Sequence, residues 1–157
     1  MPRIPTKVSV IISIAFSGLL FAFSAAAAFL IPMLADLAIS ARNSAFPDAL
    51  LGPSDRVWVI ILLYIALTVI AASDVLMFFL LIRVRKGLVF TDFSVALLRH
   101  VAWGCFALSA VACAMSVFFR LSLVVAFLAA FLGFCLRVFK NAVEEAAEIK
   151  SENDLTV

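Results

Sequence analysis

The stretch VWVIILLYIALTVIAASDVLMFFLLI, residues 57–82, decides the fold. It carries a single charged residue, Asp74. About 20 apolar residues suffice to cross a bilayer as an α-helix. A helix that is apolar on every side must be buried in a large core or in lipid, and a chain of 157 residues offers no such core. The stretch therefore reads as a membrane span, and Asp74 brings a carboxylate into it.

Three further segments read the same way: residues 8–31, 95–119 and 121–138. The last two are nearly continuous. From Val101 to Leu136 there are 36 residues, about 54 Å of helix at ~1.5 Å per residue. That overshoots a hydrocarbon core of about 30 Å. Arg120 divides the run into halves that each just span, so a tight helical hairpin with Arg120 at its tip is expected. Composition agrees, with 66% hydrophobic and 14% charged residues. The expectation is one all-α membrane domain over residues 1–157, a four-helix transmembrane bundle. Residues 1–31 have the basic start of a signal peptide in Arg3 and Lys7. Their apolar stretch exceeds the usual ~7–15 residues, so an uncleaved span is the expectation.

Lys and Arg set the orientation. Arg3, Lys7, Arg83, Arg85, Lys86, Arg99, Arg137 and Lys140 fall on one side of a four-span topology, and Arg42, Arg56 and Arg120 on the other. Both termini are expected in the cytoplasm. The net charge of +2 reflects these membrane-flanking clusters and gives no sign of direct nucleic-acid binding.

The outer loop is expected over residues 32–56, where Pro32, Pro47, Gly52 and Pro53 break up long elements. A short interfacial helix over 33–41 fits it, and Trp58 and Tyr64 suit the outer part of the second span. The loop is too short for a receptor domain, leaving a lid or a partner contact. On the inner side, Gly87 suits a left-handed helix cap, and Thr91 or Asp92 an N-cap. Arg83, Arg85 and Lys86 belong among anionic headgroups of membrane lipids. The tail, residues 139–157, continues as a helix by propensity, with Lys140 and Glu144 one turn apart.

Chemistry-bearing residues are few. A carboxylate at the depth of Asp74 faces the bundle interior, a wet cavity or a partner. Arg99 and His100 open the antiparallel third span at similar depth, so a pair of Asp74 with either is expected. Cys105, Cys113 and Cys135 all lie in apolar helices, and His100 is the only histidine. Nothing has metal-ligand spacing or a nucleophile elbow. No cofactor, metal or enzymatic activity is expected. Glycines and alanines at Ala25–Ala28, Gly104 and Ala129–Ala130 permit close helix approach, within the chain or in a homo-oligomer.

The segment from Lys86 to Arg99, KGLVFTDFSVALLR, resembles the inner loop of the DUF2975 family of four-span bacterial membrane proteins. The end of the chain from Gly133, with its Arg137-Val138 entry and its closing Glu152-Asn-Asp-Leu-Thr-Val157, is similar to that family's tail. The sequence departs from the family at Asp92-Phe-Ser94, where an asparagine is frequent. The resemblance implies a bacterial inner-membrane protein that accompanies a small helix-turn-helix regulator. It draws attention to the cytoplasmic face. The expected function is a non-enzymatic regulator or scaffold, with Arg85, Lys86, Phe90, Glu145, Asp154 and Leu155 in partner contact. The rivals are a small transporter or transporter subunit using Asp74, and an immunity-like protein that protects the membrane.

Overall fold

The computed structural model describes residues 6–47, 50–88 and 91–155, with side chains described over 11–47, 50–88 and 91–149. Four helices account for almost all of them: α1 (Thr6–Ala45), α2 (Pro53–Arg85), α3 (Asp92–Met115) and α4 (Ser122–Leu155). Each is long and apolar enough to cross a membrane. The protein is a four-span, multi-pass membrane protein.

The helices pack in chain order, α1 on α2, α2 on α3 and α3 on α4. A closed bundle would also bring α1 against α4. Among the described residues those two backbones never come within 8 Å, Cα to Cα. The expected bundle is therefore an open row. The row bends around a cleft of about 700 Å³ to which all four helices contribute, including Leu34, Leu63, Leu108 and Val125.

Three side-chain contacts fix the register of α1 on α2. Ser17 Oγ donates to Asp74 Oδ1 at 2.8 Å, Tyr64 Oη donates to the Ala28 carbonyl at 3.2 Å, and Arg56 forks onto Asp36 at 2.5 and 3.0 Å. Between the first two contacts, 11 residues on α1 match 10 on α2; between the last two, 8 match 8. The pair is thus antiparallel and in step over about 28 Å, close to the thickness of a hydrocarbon core.

Pro32 does not end the first helix. α1 runs through it to Ala45, so residues 32–45 are helical where a loop was expected. The proline has no N–H to give the carbonyl of Ala28, four residues back. Tyr64 on α2 supplies the missing donor. In lipid an orphaned carbonyl has no water to turn to, so this bond lets the helix pass the proline. Only residues 46–52 remain between α1 and α2, in place of the 25-residue loop expected over 32–56. The Asn43 side chain pairs with both the N–H and the C=O of Leu51, at 2.9 and 3.3 Å. The Gly52 N–H donates to Asp55 Oδ2 at 2.8 Å, while Pro53 opens α2 at the position where its missing N–H costs nothing.

The turn between α3 and α4 occupies residues 116–121, and Arg120 lies in it. The hairpin is as expected, but α3 stops at Met115 rather than Phe119. Ser116 helps: its hydroxyl donates to the Cys113 carbonyl, occupying a group the next turn of helix would need. Gly104 and Ser109 are five residues apart, about 140° around a helix. They therefore serve different neighbours. A Cβ on Gly104 would lie 2.3 Å from Ser73 Oγ of α2, and Ser109 Oγ donates to the Ala126 carbonyl of α4 at 2.8 Å.

Candidate functional site

Two places carry polar chemistry beside the apolar slab. The first is the Gly87 turn between α2 and α3. Gly87 has φ +73°, the left-handed conformation that glycine adopts without strain. Its N–H bonds Val84 O and that of Leu88 bonds Arg83 O, the paired closure of a Schellman motif. Thr91 then takes the N-cap position with extended backbone, but its hydroxyl does not cap. It donates instead to Leu88 O at 3.3 Å, as Ser94 Oγ does at 2.9 Å. Both hydroxyl oxygens accept from Arg83, Ser94 from Nε at 3.3 Å and Thr91 from Nη2 at 3.2 Å. The guanidinium also lies 4.6 Å from the centre of the Phe93 ring. Arg83 is thus a strut of the turn, whereas Arg85 and Lys86 stand exposed beside it. Ser94 is fully buried, and sequence reasoning passed over it. Its signal was available: a serine two residues after a helix start, flanked by apolar residues, needs local partners.

Directly under this turn sits an apolar cluster of Leu80, Val95, Leu97, Leu98 and Val143. Val143 belongs to α4, which continues unbroken past the end of its apolar run. The helical tail expected from propensity is present, and so is the Lys140–Glu144 pair. Glu145 is exposed, and no ion pair joins it to Arg85 or Lys86. The backbone at Asp154 and Leu155 is helical, while their side chains lie outside the described residues, as does Phe90 altogether.

The second place surrounds Asp74. The carboxylate is half-buried and faces α1, where Ser17 is 5% exposed. A cavity of about 260 Å³ adjoins the pair, bounded by Gly18, Phe21, Val75, Phe78 and Phe79. The expected pairing with Arg99 or His100 does not form. The reason is azimuth: it is Ser73, one residue and about 100° away, that turns toward α3 and meets Gly104. His100 Nδ1 lies 2.7 Å from the Ala96 carbonyl of its own helix. Arg99 looks into a separate cleft between α3 and α4. Among the described residues no group of three His, Cys, Asp or Glu side chains converges on a metal-sized site.

No family model, no curated protein and no solved structure matches this chain. Its class rests on its own helices: an integral membrane protein with four spans.

Proposed function

We propose that the protein is a non-enzymatic membrane regulator or scaffold that acts on a cytoplasmic partner through the Gly87 turn and the end of α4. The observation that carries this reading is the way α4 is held. Beyond Val138, about 17 residues of unbroken helix extend some 25 Å, and Val143 seats them in the cluster beneath the turn. A stiff arm anchored at one point converts a small change in helix spacing into a larger displacement at its far end. Lipid state, membrane stress or an apolar compound in the four-helix cleft would supply the change. Arg85, Lys86 and Glu145 offer exposed charge on this face; Phe90, Asp154 and Leu155, named from the sequence as partner contacts, belong to the same proposal. The resemblance of the loop and tail to the DUF2975 family favours the same face. It suggests both termini in the cytoplasm of a bacterium and a helix-turn-helix regulator as the partner.

Photo-crosslinking in cells from probes at Phe90 and Leu155, followed by mild-detergent purification and mass spectrometry, tests this. A cytoplasmic protein should be captured, and capture should be lost when residues 151–157 are deleted. Crosslinks confined to the bundle or to identical copies would reject the reading.

A second reading has its own observation: a carboxylate within a span, hydrogen-bonded to Ser17 and bordering an apolar cavity. Such a group suits coupled transport. In proteoliposomes the protein should then move a proton, an ion or a small solute, and Asp74→Asn should stop the flux. Equal flux from both forms would exclude Asp74 coupling.

A further inference from the structure

Between α3 and α4, at the level where both apolar runs end, three cations meet. Arg99 on α3 and Arg137 and Lys140 on α4 line one cleft of about 170 Å³, together with Asn141. Val101 begins the apolar run of α3 and Leu136 ends that of α4, so the cleft lies at the edge of the hydrocarbon. Lys140 is partly offset by Glu144. The two guanidiniums have no such relief: among the described residues neither makes a hydrogen bond, an ion pair or a ring contact. Like charges gathered in one cleft repel, and the arrangement is completed by an anion.

The aromatic residues next to it say which kind. Trp103, one turn from Arg99, is 62% exposed and borders the cleft. Its ring meets Phe106 edge-on at 6.0 Å, and Phe106 meets Phe134 of α4 at 5.1 Å. Gly133 admits the Phe106 ring, since a Cβ there would lie 3.0 Å from it. A ladder of rings thus runs from the cations into the apolar zone along the α3–α4 seam. A soluble phosphate has no use for that ladder; a phospholipid uses both parts. A cleft of about 170 Å³ admits a phosphate group and is too small for a whole lipid. The acyl chains would lie outside it, along the rings.

We infer that this cleft is a binding site for an anionic phospholipid. Arg99 and Arg137 grip the headgroup phosphate, Lys140 and Asn141 flank it, and Trp103 marks the boundary below it. The site does not depend on the regulatory reading of the α4 arm, and its test involves no partner protein.

The test uses the full chain with Trp58→Phe, so that Trp103 is the sole tryptophan. It is reconstituted in bilayers of phosphatidylcholine and phosphatidylglycerol, with brominated acyl chains on one lipid or the other. Quenching should show phosphatidylglycerol preferred at Trp103 by about tenfold or more, given roughly a tenfold gain for every one to two cations engaged. Arg99→Gln with Arg137→Gln should abolish the preference. Arg120→Gln removes a cation at an exposed position in the α3–α4 turn, away from the cleft, and should leave it within about twofold. No preference in the unaltered cleft, or equal loss in both charge variants, would overturn the site. Inorganic phosphate at millimolar concentration should not relieve the quenching; relief would assign the cleft to free phosphate and overturn the lipid. Arg99→Lys with Arg137→Lys keeps both charges and should retain most of the preference, which guards against misfolding as the cause of a loss.

Discussion

Val143→Asp should free the α4 arm from the rest of the molecule while the spans stay inserted. Val143 is 6% exposed among Leu80, Val95, Leu97 and Leu98, with no polar group of the cluster to receive a carboxylate. An uncompensated charge in such surroundings costs about 3 kcal/mol or more, and the arm escapes that cost by undocking. In a protein whose three cysteines are replaced by alanine, Leu98→Cys provides the readout, because Leu98 is 5% exposed under the arm. A charged maleimide should label it about a hundredfold faster once Val143→Asp is added, the population change that ~3 kcal/mol implies. Ala142→Asp places the same charge on the exposed neighbour and should leave the rate unchanged. Continued shielding of the cysteine in the Val143→Asp protein would mean that the arm is held elsewhere, and the proposed coupling of arm to helices would lose its physical basis.

Tyr64→Phe should destabilise the protein by about 1 to 3 kcal/mol, the cost of leaving a carbonyl without a donor in an apolar setting. The effect should vanish when Pro32→Ala is also present, because the substituted alanine brings its own N–H to the Ala28 carbonyl. Unfolding measured in mixed micelles for the four proteins of this double-mutant cycle gives the coupling directly. Strict additivity would show that Tyr64 and Pro32 act independently and that the 3.2 Å contact contributes nothing at the proline. Pro32→Ala alone should be neutral or stabilising.

Span number was legible because hydrophobic length is a local property. The four apolar segments, the turn at Arg120 and the cap at Gly87 each depend on a few consecutive residues. The failures have a common origin in contacts between distant parts of the chain. Pro32 reads as a helix end until Tyr64, on another helix, replaces the donor it lacks. Asp74 reads as a partner for Arg99 because depth follows from residue count. Which neighbour a side chain faces depends on helix rotation, and an all-round apolar span has no polar face to reveal it. Ser17 in turn was one of several serines in α1, with nothing local to distinguish it. The Arg99–Arg137 cleft escaped for the same reason: Arg137 was read as a topology marker, Arg99 as that and as a partner for Asp74, and their convergence is visible only once α3 and α4 are placed side by side.

The open row has a consequence for how the protein is made. Among the described residues each helix brings its backbone close only to its neighbours in sequence, so the main helix pairings need not wait for a segment synthesised much later. The three depth-matched contacts of the α1–α2 hairpin involve no residue of α3 or α4. α3 and α4 add to the row on the α2 side. Such nearest-neighbour wiring keeps the search short and limits the time for which Asp74 and the Ala28 carbonyl stand without partners in the lipid.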